Sequence, residues 1–491
     1  MADHASGNHP PTILNLPVGI PETGRREEFD SLGTVLVPAD RYWGAQTQRS
    51  LEHFSIGTER MPSEVYRAYG IVKRAAAMVN TAHGDLPEWM GELIIGVCDE
   101  VTSGQLDEHF PLFVWQSGSG THTNMNVNEV VANRCIQVIG GQLGSQDPVH
   151  PNDHVNMWQS SNDTFPAAMH IAAHTMVTRR TIPALRHLHA AIAAKAQQWD
   201  TVVKVGRTHL QDATPLTVGQ EWSGYAAALS DAIDELDHIT EGLLVIAMGG
   251  TAVGTGVNAP EGFDVEVAAA IAELTGDDFR PADNKFAAQG TLDRMVRAHA
   301  GLKAVAVTLY KIANDLRWLG SGPRAGLGEL HLPANEPGSS IMPGKVNPTV
   351  AEAMLMVCIE VMAADVAVQM GGAEGNFELN TFRPLVIANF LTSARLLADM
   401  GDHFRMFMVE GITLDEDKIA ADVADSVMLV TALAPIVGYD KAAEIAHAAI
   451  ENGLPLREAA LHHGVAAELF DTVVVPVAMT RPVPRPTSDD T

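Results

Sequence analysis

Aromatic residues are scarce in this chain, 5% of 491 residues, although 46% of it is hydrophobic. The core must therefore be built from Ala, Val, Leu, Ile and Met, which favours closely packed helices over a sandwich rich in Tyr and Trp. Positive charge is scarce too. The 32 basic residues stand against 60 acidic ones, a net charge of -28, which argues against nucleic acid or an anionic membrane surface as a partner. Cysteine is nearly absent. Cys98, Cys135 and Cys358 are odd in number and far apart in apolar settings, so they read as buried free thiols of a reducing compartment such as the cytoplasm. No metal-ligand set, flavin or nicotinamide fingerprint, or iron-sulfur cysteine cluster is found, so no cofactor is expected.

Residues 1–28, with His, Pro, Asn and Gly scattered among few apolar positions, read as a flexible N-terminal tail. Arg25-Arg26 is no twin-arginine signal, because Glu27-Glu28-Phe29-Asp30 follows in place of an apolar run. The remainder divides into three consecutive segments: 29–159, a helical body over 160–416, and a small helical piece over 417–491 that ends in a loose Pro-rich tail. Leu185, Leu188 and Ile192, and later Val305, Leu309, Ile312 and Leu316, recur at steps of three and four and predict buried helix faces. From 348 to 370 the chain is apolar nearly all round. Glu352, Glu360 and Asp365 interrupt it without positive flanks, which disfavours a membrane span. A soluble helix buried on every side implies a thick bundle, most simply one shared between subunits.

Chemistry concentrates in the loop Gly338-Ser339-Ser340-Ile341-Met342-Pro343-Gly344-Lys345-Val346-Asn347-Pro348. Its glycines and prolines exclude regular structure, and it runs into a helix N-terminus, where free backbone N–H groups favour an anion. Taken alone it reads first as a solvated connector whose Ser and Asn cap the next helix. A nucleophile elbow is excluded, since glycines two before and two after the serine are missing. A second polar cluster runs from Gln116 to Asn126, where small residues let hydroxyls approach a ligand. His150 and His154 invite a metal reading, but no glutamate follows the first, Pro151 sits between them, and Asn152-Asp153 look like a helix cap. The stretch 248–260, MGGTAVGTGVNAP, lacks the Gly-Lys-Ser/Thr ending of a phosphate loop.

The string GSSIMPGKVNP resembles the signature loop of the fumarase/aspartase superfamily, and within it the class II fumarases. VLVPADRYWGAQTQRS at 35–50 and GRTHLQDATPLT at 206–217 are similar to the same family. The resemblance implies an all-α, three-domain fold with a long central helical bundle in a homotetramer, each active site drawing on three regions from different subunits. It implies small dicarboxylates, fumarate and malate, as substrates. Ser339 would take the C3 proton of malate, and His209, paired with Glu352, would serve the water or leaving hydroxide. Ser119, Thr121, Ser160, Ser161, Asn162, Thr208, Lys345 and Asn347 would bind substrate oxygens, and His150, Asn152 and Asp153 a secondary carboxylate. In that last region Asp147 stands where the family commonly has basic residues. Aspartases usually carry Gln at the position of His209 and Ala at that of Gly344, so both positions favour fumarase. The alternatives are aspartate ammonia-lyase and a catalytically silent helical scaffold of the same fold.

Overall fold

The computed structural model describes residues 11–482, which adopt the expected all-α architecture. Strands among them form only two-stranded pairs. The chain begins with β1 (Arg25–Asp30), β2 (Gly33–Pro38), α1 (Ala45–His53), α2 (Ser63–Ala82), α3 (Glu88–Thr102), α4 (Thr121–Val138), α5 (Ser161–Met176) and α6 (Ile182–Gln198). There follow β3 (Val203–Thr208), β4 (Gln211–Thr217), α7 (Val218–Thr240), α8 (Phe263–Thr275), α9 (Lys285–Gly290), α10 (Asp293–Leu319), α11 (Thr349–Ala373) and α12 (Arg383–Phe404). Short helices between Glu416–Asp425 and Pro476–Thr480 complete it.

Contacts divide the chain into two units, a partition unlike the consecutive segments 29–159, 160–416 and 417–491. The division falls within α10, between Ala304 and Val305; that helix has 27 residues, about 40 Å at 1.5 Å per residue.

The first unit holds the described residues through Ile182, Glu235–Ala304 and Ile359–Leu397. Small residues do here what aromatics do elsewhere. A Cβ on Gly91 of α3 would fall 1.8 Å from Thr81 Oγ1 of α2, and one on Gly70 2.5 Å from Thr102 Oγ1, so glycine permits the close approach of these helices. The stretch expected to be a loose tail is tied down from residue 14 onward. Leu14 N donates to Val138 O at 2.6 Å, the buried Arg134 donates to Leu16 O at 2.9 Å, and Arg25 to Glu28 pair with β2. Residues 1–10 and 483–491, parts of the two expected tails, lie outside the described residues. Deeper in the unit, His299 of α10 bonds Asp365 of α11 through Nδ1 (2.9 Å) and Ser393 of α12 through Nε2 (3.0 Å), a polar layer buried among apolar side chains.

The second unit holds Pro183–Asp234, Val305–Cys358 and the described residues from Ala398 on. Leu185, Leu188 and Ile192 are fully buried, and so are Val305, Leu309, Ile312 and Leu316, as their spacing predicts. The final helices pack around Leu433, Ile445, Ala459 and Phe470. α11 runs from this unit into the first, and along it Met356, Ile359, Val366 and Met370 are 65%, 54%, 56% and 65% exposed, so within one chain it is covered on part of its circumference only.

Candidate functional site

In the first unit, hydroxyls form a hydrogen-bonded row. Ser117 Oγ lies 3.0 Å from Ser119 Oγ, which lies 2.8 Å from Thr121 Oγ1, which lies 2.8 Å from Ser161 Oγ. Thr121 opens α4 and Ser161 opens α5, so the row sits where two helices present free N–H groups and the positive ends of their dipoles. The turn into α4 requires glycine at 120: its φ is 81°, and a Cβ there would lie 2.0 Å from the Phe165 ring. His122 Nδ1 pins the beginning of the row, 3.0 Å from Ser50 Oγ and accepting from Ser117 N at 3.4 Å.

Ser160 caps α5. Its Oγ accepts from Asn162 N at 3.2 Å, while Asp163 accepts from Ser160 N at 2.9 Å, the reciprocal arrangement of a capping box. The other oxygen of Asp163 accepts from Gly249 N and Thr251 N at 3.2 and 2.9 Å, and Asn162 Nδ2 donates to Ala252 O at 2.7 Å. The glycine-rich stretch 248–260 is thereby fastened to the N-terminus of α5. Burial pushes the Asp163 carboxyl up to about 6, against the pull of these N–H donors.

The 150–154 turn corrects one expectation. The cap is His150 itself, whose Nδ1 accepts from Asn152 N (3.2 Å) and Asp153 N (3.1 Å), an acceptor geometry that the side chains of Asn152 and Asp153 do not supply. His154 Nδ1 accepts from His150 N at 2.9 Å. The two imidazoles are thus engaged with backbone, and no cluster that could hold a metal ion occurs among the described residues. Asn152, Asp153, Gln159 and Ser160 border one cavity of about 450 Å³.

In the second unit, β3 and β4 pair as a hairpin whose tip is His209-Leu210. Both residues are in the left-handed region, φ 57° and 61°. Neither is glycine or asparagine, so the turn stores strain of about 1–2 kcal/mol per residue. Thr208 and His209 are exposed. The base of the hairpin is held by buried charge: Glu329 receives Lys204 Nζ at 2.7 Å and an Arg207 Nη at 2.6 Å.

The 338–348 loop closes on itself in the same unit. A Cβ on Gly338 would lie 2.0 Å from Lys345 O, Gly344 turns the chain at φ 81°, and Asn347 Nδ2 donates to Gly338 O. Ser339 Oγ accepts from Ile341 N at 3.3 Å and Met342 N at 3.0 Å. Lys345 is exposed and α11 begins at Thr349, which places Glu352 in its first turn, exposed. The pairing of His209 with Glu352 is not made within the single chain: neither side chain has a hydrogen bond or ion pair among the described residues.

Residues that sequence reasoning passed over support the row from behind. Ser117 begins it, and Asp163 could have been found from the Ser-x-x-Asp spacing. Lys73, fully buried on α2, donates to Asn156 Oδ1 (2.9 Å) and Gln159 Oε1 (3.1 Å). Its signal was a lysine four residues from Tyr69 and three from Ala76, on an otherwise apolar face. Arg383, also fully buried, opens α12 and donates to Ser119 O at 3.4 Å.

Residues 33–363 match the family described as Lyase, and residues 429–481 match Fumarase C C-terminus. The chain is 60% identical to fumarate hydratase class II of Methanosarcina acetivorans over 470 residues, covering 96% of this chain and 97% of that protein. It is 56% identical to the mitochondrial fumarate hydratase of Rhizopus oryzae, with 92% of each covered. Among solved structures it is similar to a class II fumarase from Schistosoma mansoni, with a TM-score of 0.91 and 41% identity over 93% of this chain and 99% of that one.

Proposed function

The chain belongs to the class II fumarate hydratases, a family of lyases, and on that premise we propose how its residues hydrate fumarate to (S)-malate and reverse the reaction. In the direction of dehydration, the C3 proton of malate is not acidic, and its removal leaves charge on the neighbouring carboxylate as an aci-carboxylate. The group that takes this proton must be a strong base that can exist at neutral pH.

The observation that carries the reading is the setting of Ser339, whose Oγ already accepts two backbone N–H groups, from Ile341 and Met342. Such donors stabilise an alkoxide, each worth about 3 kcal/mol where comparable donors have been removed from oxyanion sites. Ser339 takes the C3 proton, and Lys345 and Asn347 of the same loop hold the carboxylate on which charge develops. His209 gives a proton to the departing C2 hydroxide, which leaves as water; in hydration it takes that proton back. Glu352 holds the imidazole, and since no such pair exists within one chain, the partner comes from another copy. Thr208 lies beside His209 to bind a substrate oxygen.

The row Ser119–Thr121–Ser161, with Ser160 and Asn162, binds the remaining substrate oxygens at two helix N-termini. The turn with His150, Asn152 and Asp153 serves as a secondary carboxylate site of weaker pull, since Asp153 lines the cavity beside it. The exposed apolar stripe of α11 supports a homotetramer in which central helices are shared and active sites are completed by neighbouring copies. Three free, buried thiols fit a cytoplasmic setting.

Purified protein mixed with (S)-malate is expected to raise the ultraviolet absorbance of fumarate, with aspartate inert in a parallel cuvette. Fumarate formed from aspartate alone would transfer the chain to the ammonia-lyases, and silence with both would leave a scaffold.

A further inference from the structure

Behind the hydroxyl row, buried charge is out of balance. Lys73 and Arg383 are both 0% exposed. Among the described residues, Lys73 donates to the neutral oxygens of Asn156 and Gln159. Arg383 donates to the carbonyls of Ser119 and Gln289, at 3.4 and 2.9 Å, and its Nε has no partner. Neither cation touches a carboxylate among the described residues. The buried anion that acts on both electrostatically is Asp163, whose oxygens are occupied by the N–H groups of Ser160, Gly249 and Thr251. Two cations against one carboxylate leave an excess positive charge inside a chain whose net charge is -28.

An unpaired buried ion costs several kcal/mol, so such an excess persists where an arriving anion completes the balance. Its location names the anion's position. Lys73 holds Gln159, which precedes the Ser160 cap, and Arg383 holds the carbonyl of Ser119. The hydroxyls of the row are neutral and bind one carboxylate much as they bind an amide, whereas a net charge behind them distinguishes two negative charges from one.

We propose that Lys73 and Arg383 are electrostatic positioning residues, whose uncompensated positive charge selects dianionic over monoanionic ligands at the Ser119–Thr121–Ser161 row. They act through the field and through the residues they hold, without touching substrate. The proposal rests on the reading of the site as one for dicarboxylates. Burial pulls the Lys73 ammonium down to about 7 and the Arg383 guanidinium down to about 10, as expected of cations short of a counter-charge.

The test compares inhibition by succinate, a dianion, with inhibition by succinamate, a monoanion of the same shape, in the intact protein and two variants. Lys73→Gln keeps two donors for Asn156 and Gln159 but removes the charge. It should weaken succinate about tenfold more than succinamate, because the lost interaction scales with ligand charge. Asp163→Asn removes the negative charge and should shift the same ratio in the opposite direction. Equal weakening of both ligands in Lys73→Gln, or an unchanged ratio in Asp163→Asn, overturns the proposal. If one variant fails to fold by circular dichroism, the other decides alone, since the two predict opposite signs. Failure of the unaltered protein to form fumarate from malate would defeat the hydratase reading instead; the ratio is then read from calorimetric binding of the same two ligands.

Discussion

Replacing Glu329 by Gln removes one charge and almost no volume from the base of the hairpin that presents His209. The side chain of Glu329 is 3% exposed and bridges Lys204 (2% exposed, 2.7 Å) and Arg207 (16% exposed, 2.6 Å). Breaking a buried pair by neutralising one partner costs about 3–5 kcal/mol, because the other partner stays desolvated without compensation. Two features place this case at the lower end. Lys204 keeps both oxygens of Glu221, each at 2.9 Å, and Arg207 is near enough to solvent to recover some hydration. A loss of about 3 kcal/mol corresponds to a fall in melting temperature of about 6–12 °C for a unit of this size. Activity should fall as well. The tip holds two left-handed residues that strain would relax if the base loosened, and a displacement of about 1 Å in a positioned group costs on the order of 100-fold in rate. Thermal melts followed by circular dichroism and the initial rate of fumarate formation measure the two effects. A melting temperature within about 1 °C of the parent would show that the ion pairs carry no net stability. A large loss of stability with kcat unchanged would separate the clamp from the placing of His209.

Other perturbations test the remaining assignments. Ser339→Ala should lower kcat about 100- to 10,000-fold, the range for a general base, with KM much less changed; a variant retaining half the parental kcat would remove Ser339 from the reaction. His209→Asn should abolish malate dehydration to a similar degree without melting at lower temperature, since the side chain is exposed and unpartnered among the described residues. Lys73→Met should raise stability at neutral pH. The folded-state value of about 7 lies below the ordinary 10.5, so protonation opposes folding below 10.5 and does so fully below about 7. Less the cost of an unsatisfied Gln159 oxygen, the gain is about 2–4 kcal/mol near pH 6.5, fading towards pH 10; melts across that range check the sign. Asp365→Asn should do the reverse. Burial pushes the Asp365 carboxyl up, but bonds from Lys303 and His299 hold it below the usual 3.8, so its contribution is present above that value and lost as pH falls through the lowered one. The deficit of the variant, about 3 kcal/mol at pH 7, should shrink in melts below pH 4.

Local chemistry was legible from residue order because it depends on near neighbours. Glycine and proline spacing identified 338–348 as a loop entering a helix, steps of three and four identified the buried faces at 185–192 and 305–316, and the scarcity of aromatics pointed to close helix packing. Family resemblance named the reaction, which the relatives then supported. Misreadings arose where a residue's role is set by a partner that its own position does not reveal. Arg25 to Glu28 look like a tail until β2 lies beside them, and Asn152-Asp153 look like the helix cap until the His150 imidazole is seen to accept from their backbone N–H groups.

The functional charges divide along the same line. The polar groups proposed to meet substrate oxygens are written in short strings of small and hydroxylated residues, because a turn and the helix start beside it are made by the same few residues. Lys73, Asp163, Gln289 and Arg383 are spread over more than 300 positions and carry no local signature of working together. Their burial and their unbalanced charge came into being when α2, α5, α9 and α12 packed, since desolvation belongs to a place in the core and not to any one residue.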